Sequence, residues 1–75
     1  MKKIEQQIST QRDALAETLF QMRLKHGLSQ LALANKAGVD RKTVNRIECG
    51  HFSPSLDTLV RLSKVLSVEP AKLLG

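Results

Sequence analysis

Gly27, Gly38 and Gly50 each stand just beyond a run of apolar residues spaced three and four apart, and each is soon followed by a residue suited to starting a helix. A residue without a Cβ adopts the positive φ that closes a helix. Ser, Thr and Asp offer a side-chain oxygen to the free amides that open the next one. The chain is thereby cut into short helical segments joined by tight turns. Nothing alternates at period two for long, which disfavours strands. Leu15, Leu19 and Met22 form the first stripe, and Thr10 is the expected cap of a helix from about Gln11 to His26. Ile4 and Ile8 extend that stripe backward across the interruption at Ser9-Thr10. Residues 1–10 are therefore set apart as an N-terminal arm, be it a helical extension, a dimer arm or an unstructured start. Ser29 is expected to cap a second helix, Gln30 to Ala37, with Leu33, Ala34 and Ala37 inward. Asp40 is expected to cap a third, Arg41 to about Cys49, with Val44 and Ile47 as its apolar pair. After the loop His51-Phe52-Ser53-Pro54, Ser55 caps a fourth helix to about Leu66, striped by Leu56, Leu59, Leu62 and Leu66. Pro70 suits a first helical turn and opens a short fifth helix with Leu73 and Leu74. Leu28, Val39 and Val68 complete the expected core. The fold class is all-α, five helices in one domain over residues 11–75.

A chain of 75 residues builds one small core, worth only a few kcal/mol of net stability unless something adds to it. Cys49 is the single cysteine, which rules out an internal disulfide and fits a reducing compartment. Cys49, His26 and His51 are too few for a closed zinc site, so neither metal nor cofactor is expected. Dimerisation is the expected extra source of stability. The net charge of +5, from 12 basic and 7 acidic residues, points to an anionic partner, either nucleic acid or an acidic membrane surface. No apolar run approaches the roughly 20 residues of a membrane span. No apolar segment follows Lys2-Lys3, so the start is not a signal peptide, and a cytoplasmic location is expected. Trp and Tyr are absent and Phe20 and Phe52 stand alone, which argues against the aromatic platforms used on single strands. No Ser-His-acid grouping, glycine-rich phosphate loop or paired carboxylates support an enzyme.

Residues 29–48 carry the function. Two short helices are joined by Gly38-Val39-Asp40, where the glycine permits a sharp bend, the valine plugs the space between the helices, and the aspartate starts the second. That is the physical content of a helix-turn-helix. The outer face of the second helix is Arg41, Lys42, Thr43, Asn45 and Arg46. A solvated helix face also carries such residues. Here, however, the turn projects them beyond the body, where Arg pairs with guanine and Asn with adenine. Arg41, Lys42 and Thr43 occupy the first turn, the part of a recognition helix that makes base contacts when it enters the major groove tip-first.

The residues Met22-Arg23, Gly27-Leu28-Ser29-Gln30, Leu33-Ala34, Ala37-Gly38-Val39, Thr43-Val44, Arg46-Ile47-Glu48, Gly50, Pro54-Ser55-Leu56, Thr58-Leu59, Leu62, Leu66 and Val68 together make a specific pattern over about residues 13–75. It resembles the Cro and phage-repressor family of helix-turn-helix regulators, also called the xenobiotic-response-element family. The resemblance implies a five-helix, lambda-repressor-like domain with helices 2 and 3 as the helix-turn-helix and Arg41 to Cys49 as recognition helix. It implies that Gln30 contacts a phosphate and supports the recognition side chains, and that Arg23 and Glu48 form an internal salt bridge. Ser29 and His51 are the further expected phosphate contacts, through a helix N-terminus and the following loop. The chain departs from the pattern at Cys49, where Asn is usual, and at His51 and Phe52, where Lys or Arg is usual. Ser67 stands for a helix-ending Gly, and Leu31 for a polar residue.

The expected function is sequence-specific binding of double-stranded DNA by a homodimer on a roughly palindromic operator, as a transcriptional regulator and chiefly a repressor. The alternative is an antitoxin-type subunit whose main task is holding a partner protein, with Phe52 and Leu31 as exposed contacts.

Overall fold

A computed structural model of the chain describes residues 2–75. It contains four α-helices, α1 (Lys2–Lys25), α2 (Gln30–Ala37), α3 (Arg41–Glu48) and α4 (Leu56–Val65), then a 3₁₀ turn over Pro70–Leu74, and no strand among the described residues. α1 packs on α3 and on the C-terminal turn, α2 packs on α3 and α4, and α4 closes against the same turn. At the centre, Leu19, Leu33, Val44, Ile47, Leu62, Leu66 and Leu73 are almost wholly withdrawn from water. Met22, Leu28, Val39, Phe52, Val65 and Val68 pack around them, half-buried. Each large side chain so buried contributes roughly 1.5–3 kcal/mol of transfer free energy.

The first helix differs from the sequence expectation. It does not begin at Thr10 but runs unbroken through Ser9-Thr10 from Lys2. A Ser or Thr inside a helix costs only a fraction of a kcal/mol relative to Ala. Restarting the helix forfeits several backbone hydrogen bonds and needs a fresh nucleus. Glu5 in the first turn and Arg23 and Lys25 in the last also match the helix dipole. The helix extends past the body, and the described residues together measure 37 × 22 × 21 Å. Its core stripe emerges with it, leaving Ile4 and Ile8 in solvent.

The fifth helix is instead a 3₁₀ turn. Lys72 N donates to Glu69 O and Gly75 N to Lys72 O, both three residues back, the tighter geometry that short helical pieces commonly adopt. Leu56, expected in the core, is 70% exposed, because the first residue of α4 stands beyond the packed layer. Asp40 occupies the N-cap of α3, and its carbonyl accepts from Thr43 N and Val44 N. Its side chain makes no capping bond; the carboxylate stays in water and acts only as a negative charge near the helix start. Ser29 and Ser55 do cap by side chain, accepting from Ala32 N and Thr58 N.

All four helices close alike, with an amide reaching five residues back around a left-handed residue: Leu28 N to Arg23 O, Val39 N to Ala34 O, His51 N to Arg46 O and Val68 N to Ser63 O. At three of the closures that residue is glycine; at the fourth it is Ser67, with φ +58°. A non-glycine residue there is strained by about 1–2 kcal/mol, partly offset by its smaller entropy loss on folding. Ser67→Gly should therefore stabilise the domain by about 0.5–1 kcal/mol, raising the melting temperature by a few degrees. A lower melting temperature in a thermal scan would show that the serine is held there by something beyond the backbone.

Candidate nucleic-acid interface

α3 divides sharply. Val44 and Ile47 are fully buried, which fixes the helix to the body. Arg41, Lys42, Asn45 and Arg46 are exposed and Thr43 is half-buried at the edge. Among the described residues, none of the three cations of α3 joins an ion pair. The helix's one carboxylate, Glu48, is turned inward. The outer face therefore carries uncompensated positive charge and free donors.

Glu48 meets Arg23 of α1 in a two-pronged contact. Arg23 Nε donates to Oε2 at 2.7 Å and Nη2 to Oε1 at 2.9 Å, with both side chains at least nine-tenths buried. Arg23 Nη1 donates to Leu28 O, and the guanidinium lies 5.4 Å from the centre of the Phe20 ring. The hydrogen bonds to Glu48 raise the Arg23 pKa against the opposing effect of burial. A third donor reaches the same carboxylate: Gln30 Nε2 donates to Glu48 Oε1 at 3.1 Å. Gln30 Oε1 in turn accepts from Asn45 Nδ2 at 3.4 Å. The structure thus brings Arg23, Gln30, Asn45 and Glu48 together across three helices. The contact between Gln30 and Glu48 had no signal in the sequence, because the two are 18 residues apart.

Ser29 is exposed at the start of α2, its oxygen accepting from Ala32 N. No acidic residue occupies the cap or first turn of α2, so its N-terminus is left electropositive, whereas Asp40 at the N-cap of α3 sets a negative charge against that helix start. His51 is exposed just past α3. Two closures hold this end of the helix. A Cβ on Gly50 would come within 3.0 Å of Asp13 Oδ1, and Arg12 Nε donates to Ser53 Oγ at 2.8 Å, tying the loop to α1. Phe52 is not an exposed residue: it packs half-buried against the core. Leu31 remains 54% exposed on α2. Cys49 is a free, exposed thiol, and among the described residues no cluster of three metal-ligating side chains occurs. Nor is any described helix long and apolar enough to cross a membrane.

The family profile described as helix-turn-helix matches residues 19–73. A Haemophilus influenzae protein named an uncharacterized HTH-type transcriptional regulator is 37% identical over 68 residues, 85% of this chain and 69% of the relative. One from Methanocaldococcus jannaschii is 40% identical over 47 residues, 63% of this chain and 71% of the relative. Among solved structures, the restriction-modification controller protein C.AhdI from Aeromonas hydrophila superposes with a TM-score of 0.79 at 34% identity, over 83% of this chain and 94% of that one. The hypothetical transcription factor NHTF from Neisseria gives 0.80 at 30% identity, over 85% and 74%.

Proposed function

The chain belongs to the helix-turn-helix family, and on that premise we propose that it is a transcriptional regulator whose α3 reads a specific duplex site as a homodimer. One observation carries the reading: the exposed side of α3 presents Arg41, Lys42, Asn45 and Arg46 free of ion pairs, on a helix locked by Val44 and Ile47. Arg41, Lys42, Thr43, Asn45 and Arg46 contact base edges in the major groove. Ser29, Gln30 and His51 contact phosphates and set the register. Arg23 and Glu48 hold α1 to α3. The protein works in the cytoplasm, as a repressor where its site overlaps a promoter. Residues 11–75 form the DNA-binding unit.

A second copy is the partner that supplies the symmetric operator. Ile4 and Ile8 of α1 line one apolar groove together with Phe52, Pro54, Leu59 and Leu74. The N-terminal stripe and the C-terminal turn therefore offer one continuous surface, and its wall starts just past the recognition helix. Leu31, exposed on α2, is the feature that favours a second reading, an antitoxin-type subunit that also holds a partner protein.

Selection of bound duplexes from a random pool, at two salt concentrations, tests the proposal. The expected result is a two-fold-symmetric site with half-sites about 34 Å apart, one helical turn. No motif, with binding that simply fades as salt rises, would leave only backbone attraction and sink it. Ile8→Glu should leave the half-site sequence intact and lower the affinity for the full site; an unchanged full-site affinity and an unchanged sedimentation coefficient would move the dimer contact elsewhere.

A further inference from the structure

The internal ion pair and the reading face of α3 are joined by an unbroken line of polar atoms, and the line has a direction. A carboxylate only accepts hydrogen bonds. Glu48 Oε1 already takes Arg23 Nη2 at 2.9 Å and takes Gln30 Nε2 at 3.1 Å. Gln30 must therefore turn its amide nitrogen inward and its oxygen outward. The outward oxygen meets Asn45 at 3.4 Å, the longest link of the line, and an oxygen there selects the NH₂ end of the Asn45 amide. The Asn45 oxygen is left on the opposite side, 3.9 Å from Cys49 Sγ. Each amide taken alone can flip at little cost. Anchored on a buried carboxylate, neither can flip without setting two acceptors or two donors against each other.

We infer that Glu48, beyond bracing α1 to α3, is a positioning residue for base readout: through Gln30 it fixes which end of the Asn45 amide donates and which accepts. The inference rests on the proposed reading face. A fixed donor and acceptor pair is what bidentate recognition of adenine requires, a donor toward N7 and an acceptor toward the N6 amino group. Glu48 itself touches no DNA. It holds the polarity of the line, and Arg23 holds Glu48.

The test is selection from a random duplex pool with four proteins: native, Asn45→Ala, Gln30→Met, and Arg23→Met combined with Glu48→Leu. Asn45→Ala identifies the position in each half-site that Asn45 reads. Gln30→Met keeps the shape of the side chain and the Arg23–Glu48 pair but cuts the line. The double variant removes the ion pair without stranding a charge and leaves Gln30 unanchored. Both should lose base preference at the Asn45 position by about 5-fold or more, while preference at the other positions persists. Gln30→Met should in addition lower affinity evenly, as the loss of a phosphate contact does. A merely structural role for Glu48 would weaken all positions alike. Full preference retained at the Asn45 position by Gln30→Met, or a loss of base preference shared equally by all positions of the site, overturns the inference while leaving the proposed function intact. Absence of any motif for the native protein overturns both. Circular dichroism checks folding, and if the double variant is unfolded, Gln30→Met decides.

Discussion

Arg23→Ala should lower the melting temperature by more than about 12 °C, from a loss of about 3–5 kcal/mol at about 4–8 °C per kcal/mol for a chain of this size. The change does more than delete a contact. It strands the Glu48 carboxylate, 6% exposed, with only the neutral Gln30 amide left to pair with it. It also takes the donor from Leu28 O at the closure of α1. Domains of this length hold roughly 0.05–0.15 kcal/mol per residue in total, so the loss is a large share of what keeps the protein folded. The double variant with Arg23→Met and Glu48→Leu should recover most of it, because two matched apolar groups need no desolvation. Thermal and urea melts of both variants decide the matter. A single variant that melts with the native protein would show the pair to be hydrated in solution. Because the arginine pKa is raised from an already high value, its contribution is fully present at every pH below the ordinary arginine range. Melts between mildly acidic and mildly basic pH should therefore show no step from Arg23.

Arg41→Ala with Arg46→Ala should do the reverse, sparing the fold and abolishing recognition. Both side chains are exposed and free of ion pairs among the described residues, and surface changes of that kind usually move stability by less than about 0.5 kcal/mol. A good bidentate contact to a base discriminates by about 1–3 kcal/mol. If both arginines make one and the two add, specific affinity falls by roughly 30-fold to more than 10⁴-fold. Titration of the selected duplex and of an unrelated duplex, each at several salt concentrations, separates the roles. Base contacts lower specific binding far more than non-specific binding. Phosphate contacts lower both, with a smaller salt slope. Unchanged specific affinity would remove α3 as the reading element.

What could be read in advance was whatever the chain decides locally. Ser29 and Ser55 announce helix starts, Gly38 and Gly50 announce closures, and the spacing of Leu33, Ala34 and Ala37 or of Val44 and Ile47 says which side turns inward. The misreadings arise where something beyond the local spacing decides. Leu56 belongs to the right stripe but lies beyond the layer that would cover it. Ser9-Thr10 has the composition of a cap, yet capping gains little when the helix can continue in both directions. Ser63, buried in α4, satisfies its hydroxyl by donating back to Val60 O, an arrangement no spacing rule reveals. In the candidate interface, the outward residues of α3 follow from its period, whereas the line from Glu48 through Gln30 to Asn45 depends on how three helices are set against one another.

The overhanging start of α1 has a consequence for hydrogen exchange. A helical segment of a few turns with nothing packed on it is marginal in water. Its amides should trade protons for deuterons within a small factor of the unprotected rate, while those around Leu19 and Arg23 exchange only when the whole domain opens. One continuous helix should therefore show a steep protection gradient between its two halves. Whatever settles over Ile4 and Ile8, a second copy included, should slow exchange in the first half and leave the second unchanged. The amides near residue 8 become a local gauge of whether that face is covered, readable without any DNA present.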